Sequence, residues 1–170
     1  WIRSVKDRPF LAFVHSYEIH FPYRHMQFVS DSVRSTGKAP YDVDDLNEIH
    51  NGRKVLTPED RTFVADLYDG DVATADAVLG GMLATLKREG ILDRAILVVL
   101  SDHGDDLWDH DEYWSPGHGH SLYQEILHVV LFFRAPGLVK EGVRIKTPVS
   151  LLDVLPTLLD LIGIPSEPQD

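Results

Sequence analysis

Short runs that are apolar throughout alternate along this chain with longer amphipathic or polar stretches. The first run, "PFLAFVHS" at 9–16, follows a proline and ends in polar residues, which predicts a buried strand. Pro22 breaks regular structure in the following "YEIHFPYRHMQF". Residues 30–57 are polar, with Gly37, Pro40, Gly52 and the acids Asp42, Asp44 and Asp45, and predict a surface excursion with little regular structure. At "TPED" a helix begins: Thr57 can cap it, Pro58 suits its first turn, and Asp60 can complete a capping box. Phe63, Leu67, Val72, Ala75, Leu79, Met82 and Leu86 then recur at helical spacing as far as Gly90, a natural stop. Gly70, Gly80 and Gly81 inside that helix predict a kink or a close approach. "AILVVL" (95–100) predicts a second buried strand, "ILHVVLFF" (126–133) a third, and 143–149 a short fourth. "SLLDVLPTLLDLIG" closes the chain as an amphipathic helix with Pro156 in an early turn. Strands alternating with helices, and strands apolar on both faces, predict an α/β fold with a largely parallel central sheet and flanking helices.

Composition narrows the function classes. The chain has 170 residues, 44% of them hydrophobic, enough for one domain or most of one. Sixteen basic residues against 27 acidic ones give a net charge of −11, which argues against a nucleic-acid partner. No cysteine is present, so neither a disulfide framework nor thiolate chemistry is available within these residues. No apolar run approaches the ~20 residues needed to span a bilayer. The chain opens on "WIRSVKDRPF" without Met and stops at "GIPSEPQD", which reads as a piece of something longer.

Ligands of open α/β sheets gather beyond the carboxyl ends of the strands. Three segments put polar residues there: His15, Glu18 and His20 after the first run, Asp102 and His103 after the second, and His118 and His120 just before the third. On spacing alone Asp102 reads first as a cap on backbone amides at a strand end; the alternative is that Asp102 and His103 face one cation, with Gly104 supplying the bend through a positive φ. His118 and His120 flank Gly119, and either ring can donate to an anionic oxygen or protonate a leaving group, unless the loop is simply rich in histidine. His20 alone reads as a structural histidine between aromatics, and His15 as a maker of local hydrogen bonds. His25, His50 and His128 have no supporting context. His110 with Asp105, Asp106, Asp109, Asp111 and Glu112 reads as a solvated acidic loop, with a second metal site as the alternative.

Together these pieces resemble the sulfatase family of the alkaline phosphatase superfamily. "PFLAFVHSYEIHFPY" resembles a strand and its His-x-Pro-Tyr loop, "AILVVLSDHGD" the strand and metal turn, "HGHSLYQEILHVVLFF" the segment His-Gly-x-Ser-Leu-Tyr-x-Glu, and "TPVSLLDVLPTLLDLIGIP" the helix with Asp-x-x-Pro-Thr-Leu. The motifs follow in order over nearly the whole chain, leaving 25–55 as the variable excursion. The resemblance implies that 1–170 is the C-terminal part of a catalytic domain, its N-terminal part missing. It implies that Asp102 and His103 are two ligands of a single divalent cation, calcium as in many members, or manganese or zinc because His103 offers nitrogen. His20 and His118 would contact the sulfate or phosphate oxygens, one of them assisting departure of the alcohol, with His120 an alternative to His118. The family nucleophile is a formylglycine made in a Cys- or Ser-x-Pro-x-Arg motif. That motif does not occur in these residues, which implies a nucleophile upstream of Trp1. The implied activity is hydrolysis of a small-molecule or glycan sulfate ester by an exported, periplasmic or extracellular enzyme. The alternatives are a phosphodiesterase, phosphonate monoester hydrolase or phosphotransferase of the superfamily, or a non-catalytic relative without the nucleophile. Oligomeric state is left open.

Overall fold

The computed structural model describes residues 1–38, 43–51, 53–110, 116–119 and 121–165. They form two compact units, one from Trp1–Leu92 with His103–His128, the other from Asp93–Asp102 with Val129–Asp170. Helices and one small sheet make the chain α/β in content.

The first unit is organised by its longest helix. Short helices α1 (Ile2–Val5), α2 (Asp31–Arg34) and α3 (Val43–His50) precede α4 (Pro58–Arg88), and α5 (Gln124–Leu127) follows. The start of α4 is the predicted one. Thr57 accepts from the Asp60 amide at 3.2 Å and Asp60 accepts from the Thr57 amide at 2.9 Å, so two end donors are satisfied reciprocally. Its end lies near Gly90, at φ +68°. Phe63, Val64, Leu67, Gly70 and Asp71 form the buried stripe, whereas Val72 and Met82 are exposed. The predicted apolar stripe is therefore covered only over the first half of α4. Phe21, Tyr23, Val29, Ile49 and Leu56 complete the core around Phe63, Val64 and Leu67. Val29, Ile49 and Leu56 lie in or beside the stretch expected to be a polar excursion. That stretch instead forms α2 and α3 and contributes anchors to the core, because isolated apolar residues among polar ones give no periodic signal.

Gly70 is where the helix meets the loop after residue 20. A Cβ there would lie 2.0 Å from the carbonyl oxygen of His25, so only glycine permits the contact. Gly80 and Gly81 have open space around them and mark no close approach.

The second unit holds the sheet. Strands β1 (Leu97–Leu100) and β2 (Leu131–Arg134) pair antiparallel, Leu97 opposite Arg134 and Leu100 opposite Leu131. Among the described residues this is the whole sheet, and its single pairing is antiparallel where the apolar runs predict a largely parallel arrangement. Residues 9–16 form no strand, nor do 143–149. Leu11 and Phe13 are 86% and 85% exposed, and without a neighbour to complete a ladder an apolar run stays irregular. The predicted third strand gives its first residues to α5 and begins later, at Leu131. A capping box of Ser150 and Asp153 starts the closing helical segment, which continues as α6 (Val154–Leu161) with Pro156 in its first turn. No described helix is long and apolar enough to cross a membrane.

Candidate active site

Three histidines from distant parts of the first unit converge. His20 comes from the loop after the 9–16 run, His103 from the chain just past β1, and His118 from the segment ahead of α5. The His103 and His118 rings are 3.6 Å apart between centroids, His20 and His118 are 5.2 Å apart, and His20 and His103 are 6.4 Å apart.

Backbone constraints bring them there. Asp106 and Gly117 exchange amide–carbonyl hydrogen bonds of 2.7 and 3.0 Å, which closes the intervening loop and returns His118 beside His103. The Asp106 carboxylate accepts from the Trp108 and Asp109 amides, so this buried acid shapes the turn. Gly104 donates to the Ile126 carbonyl at 2.8 Å, and a Cβ on it would sit 1.9 Å from the Glu125 carbonyl oxygen. Gly104 is thus needed for close approach to α5 and not for the positive φ expected of it.

The hydrogen bonds fix the ring tautomers. His20 Nδ1 lies 2.7 Å from the Phe21 carbonyl oxygen, His103 Nδ1 2.9 Å from that of Gly104, and His118 Nδ1 3.0 Å from Asp105 Oδ1. Each partner can only accept, so each Nδ1 donates. In the neutral rings Nε2 then carries the lone pair, the form suited to a base or a metal ligand.

Asp105 stands behind the rings with its side chain 5% exposed. Its Oδ2 accepts from the Tyr23 hydroxyl at 2.7 Å. Burial, and next the Asp105 charge and that hydrogen bond, push the Tyr23 phenol far above its usual range, so it remains a donor. Burial and the charges of Asp105 and Asp69 also raise the Tyr68 phenol. Asp105 is therefore a buried partner of the site and not part of the solvated acidic loop expected from the sequence. Its position, two residues beyond His103, carries no sign of the tyrosine that meets it from residue 23.

His103, Asp105 and His118 offer one ligand atom each within 4.8 Å of one another. Two imidazole nitrogens and a carboxylate oxygen make these residues candidates for holding a divalent cation. Asp102, the expected partner of His103, belongs to the second unit, and His120 lies outside the described residues. The His15 ring lies 4.7 Å from that of Tyr17, tilted by 45°, and His25, which has no context in the sequence, hydrogen-bonds the buried Asp71 at 2.7 Å. His110 pairs with Glu125; Asp111 and Glu112 are outside the described residues.

The family model described as Sulfatase matches residues 1–164. The chain belongs to the sulfatase family. Members of this family generally bind a divalent metal and use formylglycine, and the cluster above supplies candidate ligands. Among relatives, this sulfatase chain is 35% identical over 110 residues to Arylsulfatase K of Danio rerio, covering 65% of the chain and 20% of that protein. It is 36% identical over 98 residues to Arylsulfatase K of Homo sapiens, covering 58% and 17%. Among solved structures it resembles the phosphonate monoester hydrolase SpPMH from Silicibacter pomeroyi, with a TM-score of 0.57 and 32% identity over 63% of this chain and 20% of that one. The sulfatase chain thus spans about a fifth or less of the length of the relatives it matches.

Proposed function

We propose that the chain is part of the catalytic domain of a metal-dependent hydrolase that cleaves sulfate esters, with its nucleophile supplied from upstream of Trp1. The observation that carries this is the convergence of His20, His103 and His118 in a chain of the sulfatase family. In the complete domain, further strands would turn the present pair into the larger, mostly parallel sheet of the resemblance, and residues 9–16 would join it.

His103 and its chain neighbour Asp102 would hold the cation. Bound there, the cation supplies charge that polarises the ester oxygens and favours the anionic form of a nucleophile. His20 and His118 would contact the anionic oxygens of the ester. The Asp105 carboxylate holds His118 by Nδ1 and so aims Nε2, and it is the imidazolium form of the ring, with a second proton on Nε2, that would pass that proton to the departing alcohol oxygen. Tyr23, kept protonated, pins Asp105 so that the carboxylate cannot swing away from the imidazole. The nitrogen ligand favours manganese or zinc over calcium. The substrate would be a small-molecule or glycan sulfate ester, and the compartment would be outside the cytoplasm.

A second reading has its own support. The nearness of His103, Asp105 and His118 allows all three to ligate the metal, with His20 left as the proton donor. One experiment on the complete protein separates the two. His118→Ala with normal metal content and turnover lowered by about 100-fold or more supports the proton-donor role. Loss of metal and turnover together moves His118 into the ligand set. Hydrolysis of phosphonate monoesters without any of sulfate esters would overturn the sulfatase reading itself.

A further inference from the structure

Beside the histidine cluster, and sharing His20 with it, lies a cleft of about 290 Å³ lined by Tyr17, Glu18, His20, Arg24, His25 and Asp71, with Phe21 and Pro22 at its wall. The volume is at the small end of the ~300–1,000 Å³ usual for ligand pockets, enough for a single ring with its substituents.

The polar wall of this cleft is held in place from behind. Asp71, on α4, is only 2% exposed. Its Oδ1 accepts from the Arg24 amide at 3.1 Å, the His25 amide at 3.0 Å and His25 Nδ1 at 2.7 Å. A buried carboxylate satisfied in this way fixes both the backbone and the ring plane of His25. Nε2 of that ring faces Glu18 Oε1 at 3.4 Å, so a chain of Asp71, His25 and Glu18 runs from the helix to the cleft. Gly70, pressed against the His25 carbonyl, sets the depth of the loop on the helix. A carboxylate has about four lone-pair sites, and among the described residues the one side chain set against that of Glu18 is His25, whose Nε2 donates to it only in the imidazolium form.

We infer that Glu18 is a specificity-determining residue that accepts hydrogen bonds from hydroxyl groups on the alcohol part of the ester, so that the site prefers sulfate esters of sugars to those of plain phenols. The inference rests on the hydrolase reading above and deepens it. With its sulfate among His20, His103 and His118, an ester reaches this cleft with its alcohol portion. A sugar ring brings hydroxyl donors to the Glu18 carboxylate. A phenyl ring covers the same carboxylate without donating to it, and a desolvated, unpaired charge opposes binding. His25 acts as a positioning residue, through Glu18 and not on the substrate.

The test uses the complete protein and two probes, a panel of methyl glycoside monosulfates and 4-nitrophenyl sulfate. The quantity read is the ratio of kcat/KM for the preferred glycoside sulfate to that for the aryl sulfate. Loss of a hydrogen bond to a charged acceptor predicts that Glu18→Ala lowers this ratio about 10- to 100-fold. His25→Ala lowers it in the same direction, chiefly through KM, with thermal unfolding as the control for folding. An unchanged ratio in Glu18→Ala overturns the inference, whether or not both rates fall. If the unaltered protein hydrolyses no sulfate ester, the sulfatase reading fails by itself. The same ratio is then measured with phosphonate monoesters of the two alcohols, and an unchanged value there overturns the role of Glu18.

Discussion

The two units spend similar apolar sequence in opposite ways. In the first, Phe21, Tyr23, Phe63, Val64 and Leu67 bury one another almost completely, and the histidine cluster is mounted on that core. In the second, Ala135 is the one buried hydrophobic residue among those described, while Leu100, Phe132, Ile145, Leu152 and Leu155 are exposed. Both contain regular elements with sound local chemistry, the capping box at Thr57 and that at Ser150 being of the same kind. Local propensity therefore does not distinguish them. What differs is closure: α4 meets partners supplied by residues 21–56, whereas a two-stranded ribbon offers two faces and two edges with little to cover them.

The contrast can be broken by mutation. Phe63→Ala has the largest expected effect, a loss of about 3–5 kcal/mol in the stability of the first unit, measured by urea unfolding. A cost near zero would mean that the core is not the organising feature. Gly70→Ala comes next, about 1–3 kcal/mol or more, because the added methyl must displace the His25 backbone. Tyr23→Phe follows at about 1–2 kcal/mol, since it leaves Asp105 short of a donor. That variant also tests pH dependence. The folded pKa of Tyr23 is above its unfolded value of 10.0, so its stabilisation is fully present below pH 10 and is lost as pH rises through the folded value. Unfolding free energy should fall above pH 10 in the parent and fall less steeply in Tyr23→Phe; parallel curves would remove Tyr23 as the source. The smallest effect is expected for Phe132→Ala in this 170-residue chain, within about 0.5 kcal/mol. A loss comparable with Phe63→Ala would erase the difference between the units.

Much of the local structure is legible in the sequence because its signals are local. Thr57, Pro58 and Asp60 announce α4, Gly90 its end, and "AILVVL" the strand β1. The run at 9–16 misleads, because apolarity records what a segment needs and not whether a partner is present to meet the need. Residues 30–57 mislead in the reverse sense: Val29, Ile49 and Leu56 are scattered in the sequence but meet in space. At the candidate site, His20, His103 and His118 are visible as residues, and their order suggests the family, but residue spacing does not carry their nearness. Asp71 with His25, 46 residues apart, and Asp105 with Tyr23, 82 apart, are illegible for the same reason. Each is one half of a hydrogen bond whose other half lies far along the chain.

The pair of backbone hydrogen bonds between Asp106 and Gly117 has a consequence for how such a protein can diverge. They act as a clasp at the neck of a loop: His118 is registered by the neck, not by what the loop contains. The cost of closing a loop grows only slowly with its length. Insertions beyond the clasp could therefore be exchanged between lineages like fittings on a common mount, altering what surrounds the site while the imidazole keeps its place.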